Sequence, residues 1–177
     1  EARHRQTGAL EGVIGLQTAS SRFSADGEEA FAPFSRTRNT ALFLHEELGT
    51  AWGQLSLGAR AESVRVTSLG NPDPAVTRFV TGARQFTPGS LSVGALVNLT
   101  PAWQLTGNLA RTQRAPKDYE LFANGPHLAT AAWETGDASL GLEKSTSIEV
   151  GAAWKSGPHR FTANAYTSRF ANYIGLL

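Results

Sequence analysis

The chain has 177 residues, 41% of them hydrophobic, with a net charge of +1 and a mean hydropathy of −0.23. That balance gives no electrostatic footprint for nucleic acid, and no apolar run approaches the ~18 residues of a membrane-spanning helix. With no cysteine, disulfide frameworks, thiolate nucleophiles and zinc-finger sites are excluded; with no methionine and no apolar leader, the chain reads as an internal piece of a longer protein.

Alternation of apolar and polar residues appears seven times along the chain. The first run is Thr7–Thr18, with Leu10, Ile14 and Leu16 on one face. The second is Thr37–Leu48, with Leu42 and Leu44 opposite Phe43 and His45. In the third, Trp52–Arg65, Leu55, Leu57, Ala59 and Ala61 alternate with Gln54, Ser56, Arg60 and Glu62. In Ser90–Leu99, Leu91, Val93, Ala95 and Val97 alternate with Ser92, Gly94 and Asn98. Trp103–Arg114 sets Trp103, Leu105 and Leu109 against Gln104, Asn108 and Thr112. Ser145–Lys155 sets Ile148, Val150, Ala152 and Trp154 against Ser147, Glu149 and Gly151. The last run, Arg160–Tyr173, loses parity near Phe170, which predicts a bulge there.

Short joins ("LGTA", "TPA", "SGPH") alternate with long ones, roughly Ala19–Arg36, Val66–Gly89 and Ala115–Lys144. Tight turns at one end and long loops at the other are the habit of an outer-membrane barrel. Ten residues at ~3.4 Å, tilted by about 45°, span roughly 24 Å, close to the ~25 Å apolar band of such barrels. The expected fold is therefore all-β: an antiparallel up-and-down meander of about seven strands, part of an incomplete transmembrane β-barrel. Gln54, Arg60, Glu62, Asn98, Gln104, Asn108, Glu149 and Asn164 are too polar for a core and suit a wet lumen. Trp52, Trp103 and Trp154 stand beside the short turns, where an apolar ring with an N–H favours the membrane interface. A soluble β-sandwich or lipocalin-like barrel is the alternative. Among the lumen charges, Arg60, Glu62, Arg111, Arg114 and Glu149 are expected to form ion pairs, with one another or with a segment that fills the lumen.

The longest loop, Ala115–Lys144, looks folded in its own right. Pro116 prevents pairing after Arg114, "KDYELFA" suits a helical turn with Asp118 as its cap, and "NGPH" and "ETGD" read as turns. Glu120 is expected to tie down the loop backbone. No G-x-S-x-G, H-E-x-x-H or P-loop is present, so no enzyme chemistry is indicated.

Arg114, Pro116, Glu120, Leu121, Phe122, Ala123, Gly125, Trp133, Glu134, Gly136, Asp137, Leu140, Glu143 and Ser145, with "NYI" at 172–174, resemble the late barrel region of TonB-dependent outer-membrane receptors. The string "ANGPHLATAAWETGD" is similar to the branch that includes zinc-uptake receptors, and "AFAPFSRTRNTALFLHEEL" fits the same family. The resemblance implies that residues 1–177 are part of a receptor barrel of about 22 strands, with the plug domain, the TonB box and the remaining strands outside them. It implies a multi-pass barrel in the outer membrane of a Gram-negative cell. Its partners would be the TonB complex acting through the plug, outer-membrane lipid, and a metal or metal-chelate substrate, with no nucleic acid. No cofactor would be held permanently; zinc, haem or an iron chelate would pass through. A passive porin or a barrel enzyme is the alternative within the membrane. For substrate capture the candidates are His127, Glu134 and Asp137. Neutral imidazole is a ligand for zinc or haem iron, so His127 is the candidate metal ligand, while Glu134 and Asp137 would either complete an oxygen-rich site or stabilise the turn.

Overall fold

In the computed structural model, which describes residues 1–27, 29–129 and 131–175, one long sheet dominates. Its strands are β1 (Ala2–Thr7), β2 (Leu10–Phe23), β3 (Phe34–Thr50), β4 (Gly53–Gly70), β5 (Gly82–Phe86), β6 (Gly89–Asn98), β7 (Trp103–Arg114), β10 (Glu143–Ser156) and β11 (His159–Ala171). Between β7 and β10 lie helix α1 (Asp118–Phe122) and a separate hairpin of β8 (Asn124–His127) and β9 (Ala132–Thr135). All pairings are antiparallel, in the order β1-β2-β3-β4-β6-β7-β10-β11, with β5 also on β4. The sheet is open, with β1 and β11 as its edges among the described residues.

The strands outnumber the seven alternating runs for two local reasons. The run Thr7–Thr18 crosses a tight turn: Gly8, at φ +66°, reverses the chain so that Thr7 pairs with Leu10. The predicted loop Val66–Gly89 contains β5, whose Phe86 pairs with Val64 while Gly89 of β6 pairs with Ala61. These two strands are one line interrupted at Pro88, which has no N–H to give; its carbonyl instead accepts from Glu62 N–H at 2.9 Å. The bulge expected near Phe170 is not there. The β10–β11 register runs unbroken from Ser156↔His159 to Lys144↔Ala171, and Phe170 simply faces inward, edge-on to Tyr173 at 5.3 Å.

Register sorts the side chains into two faces. Leu57 pairs with Val93, Val97 with Leu105, and Leu105 with Ala152, so Leu, Val, Ile and Ala share an outer face. Leu57, Val93 and Val150 on it are about half exposed, at 48%, 48% and 53%. Ser56, Gly94 and Asn108 form a row of the opposite, inner face. At the short-turn end Trp103 and Trp154 pair directly on the outer face, ring centroids 6.4 Å apart. Arg111 departs from its expected lumenal place: it pairs with Leu91 and shares the parity of Leu109, which puts it outside. A polar pair also interrupts the apolar wall, where Glu46 lies over Gly12 and reaches His4 Nε2 at 2.8 Å.

Buried apolar residues gather on the inner face at the long-loop end. Val64, Val66 and Phe86 of the wall pack with Leu121 of α1, and Ala115, Phe122, Leu140 and Leu142 surround them. A second cluster joins Ala30, Val76 and Phe79 from the two shorter long loops. Full burial of a side chain such as Leu121 stabilises by ~1.5–3 kcal/mol, enough to hold the loop against the wall.

Candidate functional site

Three loops meet over the inner face: residues 24–33, 71–81 and 115–142. Arg114, the last residue of β7, fixes the third at both ends. Its guanidinium reaches Glu120 Oε2 at 2.8 Å and Glu143 Oε2 at 3.1 Å, so the helix and the returning strand share one cation. Glu120 also accepts the Lys117 N–H at 2.6 Å, which ties down the loop backbone as its position in the sequence suggests. Asp118 does not cap α1; it is the first helical residue, and its carboxylate accepts from the buried Ser35 hydroxyl instead.

After α1 the chain leans on its neighbours through the backbone. Asn124 N–H donates to the Phe31 carbonyl at 2.9 Å, and its side-chain amide donates to the Arg78 carbonyl at 3.0 Å. Arg78 in turn donates to the Ala30 carbonyl at 2.7 Å, linking all three loops. A Cβ on Gly125 would collide with the Ala30 carbonyl and Phe31 Cα. A Cβ on Gly136 would stand 2.6 Å from the backbone of Leu121 and Phe122, where Gly136 N–H meets the Ala123 carbonyl at 2.7 Å. These two glycines are there because backbones approach too closely for any side chain.

"NGPH" is a strand, not a turn: Gly125 pairs with Glu134 and His127 with Ala132. The reversal comes later, where Ala131 N–H meets the Leu128 carbonyl at 3.2 Å. The hairpin brings two of the three candidate residues together. Glu134, 9% exposed, accepts at Oε1 from His127 Nδ1 at 2.5 Å, and the imidazole stacks on Phe31 at 4.6 Å and 15°. An ionised carboxylate can only accept, and toward it Nδ1 is the donor. The hydrogen bond and the stacking fix the orientation of the ring, as carboxylates do for metal-binding histidines.

Asp137 bonds to the turn that follows β9. Its Oδ1 accepts Ser139 N–H at 2.7 Å, and its own N–H donates to the Glu120 carbonyl at 2.9 Å. Hydrogen bonds from the Ser139 side chain and backbone, with Arg84 nearby, hold its carboxyl below the usual range. It is a turn former. Among the described residues no group of three or more His, Asp or Glu could hold a metal ion.

Phe31 and Arg78 complete the site and were not legible in the sequence. Phe31 is 96 positions before His127, and no local spacing links the two. Beside the hairpin a cavity of about 380 Å3 opens between β5 and α1, with Arg78, Arg84, Leu121, Asn124 and Gly136 in its lining. Arg84 braces its far wall by donating to the carbonyls of Ala138 and Leu140.

A protein-family model described as TonB dependent receptor-like, beta-barrel, matches residues 4–177, from the first strand to the last.

Proposed function

Since this chain belongs to the TonB-dependent receptor family of β-barrels, we propose that it forms part of a transporter for active uptake of a scarce metal or metal chelate. The family is one of outer-membrane receptors that work with TonB, so the sheet is a stretch of barrel wall and its long-loop end is the substrate side. The observation that carries the reading is the folded cap. Three loops interlock through Asn124, Arg78 and Phe31, and they present an imidazole aligned by a buried carboxylate. A passive porin has no need of such a cap. The substrates that fit are zinc, haem or a ferric siderophore, and the pair His127–Glu134 is the proposed contact. TonB would act through a plug domain.

The test is His127→Ala and Glu134→Gln in the intact receptor, with equilibrium binding and uptake measured for zinc, haem and a ferric siderophore. Weakened binding of zinc or haem, with the siderophore unaffected, supports coordination by the imidazole, because iron in a siderophore is already saturated. Unchanged binding of all three in a folded receptor removes the pair from substrate capture.

A further inference from the structure

The outer face carries cations on unusual terms. Along β2, β3 and β4 its rows change character in steps of two residues, about 6.8 Å each. The row Leu16, Leu42, Ala61 is apolar, and the next, Thr18, Thr40, Ser63, bears hydroxyls. Above these Arg38 pairs directly with Arg65, and in the following row Arg22 pairs directly with Arg36. Like charges directly opposite on a sheet repel. No acid shares the outer face of these strands except Glu46, eight residues away along β3. Among the described residues none of the four arginines has an ion pair, although the inner-face Arg60 and Arg114 both do. Farther along the sheet Arg111 and Arg169 join the same face at the same end.

Below the arginines a groove of about 610 Å3 runs down the wall. Ala59 and Ala61 make a shallow floor between Leu42 and Leu44 on one side and Leu91 on the other, with Arg111 in its lining. Small residues between large ones leave a channel the width of a hydrocarbon chain.

We infer that this wall binds an anionic, phosphate-bearing lipid of the outer leaflet, its phosphates on Arg22, Arg36, Arg38 and Arg65 and an acyl chain in the groove. Guanidinium groups match phosphate in charge and in bidentate geometry, and a bound phosphate turns each repelling pair into a bridge. The hydroxyl row stands where the polar linkage between headgroup and chain would lie. The inference rests on the wall's place in the outer membrane and not on which substrate is transported.

Native mass spectrometry of the intact receptor in detergent tests it, with titrations of diphosphoryl lipid A, phosphatidylglycerol, phosphatidylcholine and inorganic phosphate. Lipid A adducts are expected at roughly tenfold lower concentration than phosphatidylcholine adducts, with none from inorganic phosphate. Arg38→Gln/Arg65→Gln removes one repelling pair, so it leaves folding intact by the same argument. It is expected to weaken lipid A binding by about thirtyfold, from two cations each acting as basic residues do beside an anionic surface. Arg160→Gln, at the short-turn end, leaves it unchanged. Equal adducts from the anionic and neutral lipids, equal lipid A binding by the double variant, or binding of inorganic phosphate alone would each overturn the assignment.

Discussion

On the inner face Arg60 lies 3.1 Å from Glu62, and Arg114 sits between Glu120 and Glu143; on the outer face Arg38 is paired across the strands with Arg65. The same residue type has two uses within one sheet. Inside, cations meet carboxylates of their own chain, and Arg114 fixes a loop to the wall. Outside, Arg22, Arg36, Arg38 and Arg65 have no carboxylate partner among the described residues. The apolar residues divide in the same way. Leu121 is 1% exposed in the inner cluster, while Leu16 on the outer wall is 66% exposed. A wall of this kind has its dry protein core only under the cap, and elsewhere its apolar surface faces lipid.

Truncating leucines sharpens this contrast most. Leu121→Ala leaves a cavity no lipid can fill and is expected to destabilise by about 2–5 kcal/mol, whereas Leu16→Ala costs much less because lipid refills the space. Denaturant unfolding of the intact barrel in bilayers measures both. Charge insertion comes next. Arg replacing Leu57 or Val150 should destabilise by roughly 2–4 kcal/mol at the membrane midplane, and Arg replacing Ser56 or Asn108 far less. Gly136→Ala is expected to cost about 1–3 kcal/mol through its collision with the α1 backbone. Hydrogen exchange should then quicken in residues 115–142 and stay unchanged in β6 and β7. The smallest effect belongs to Asp137. Its carboxyl is depressed on folding, so its contribution is fully present above the ordinary Asp value near ~3.9 and is lost as pH falls through the folded value. The Ser139 amide chemical shift should follow that titration in the wild type and lose it in Asp137→Asn.

Strand positions and faces were legible because a period of two is explicit in residues such as Leu91, Val93, Ala95 and Val97. What alternation cannot show is a break between two alternating stretches. The Gly8 turn lies inside one unbroken alternation for that reason, and Pro88 hides the five residues of β5. Arg111 shows that charge alone does not mark the lumen: it shares the parity of Leu109 and lies outside. In the cap the family pattern marked Gly125, Glu134 and Gly136. The reasons for those residues lie across the fold, in Ala30, His127 and Leu121, and no local spacing reveals them. The same distance hides the stacking of His127 on Phe31.

The most direct test of a wall with one face in lipid and the other in water is nitroxide scanning. The chain has no cysteine, so each one introduced into it is unique within it. Single labels at positions 91–97 and 104–109 of the intact receptor would be compared for relaxation by oxygen, which concentrates in lipid, and by a water-soluble nickel chelate. The account predicts a period of two in opposite phase: oxygen at Leu91, Val93, Leu105 and Leu109, nickel at Ser92, Gly94, Thr106 and Asn108. If instead the leucine and valine positions were shielded from both reagents, the apolar face would be a protein core, and the membrane wall would be contradicted.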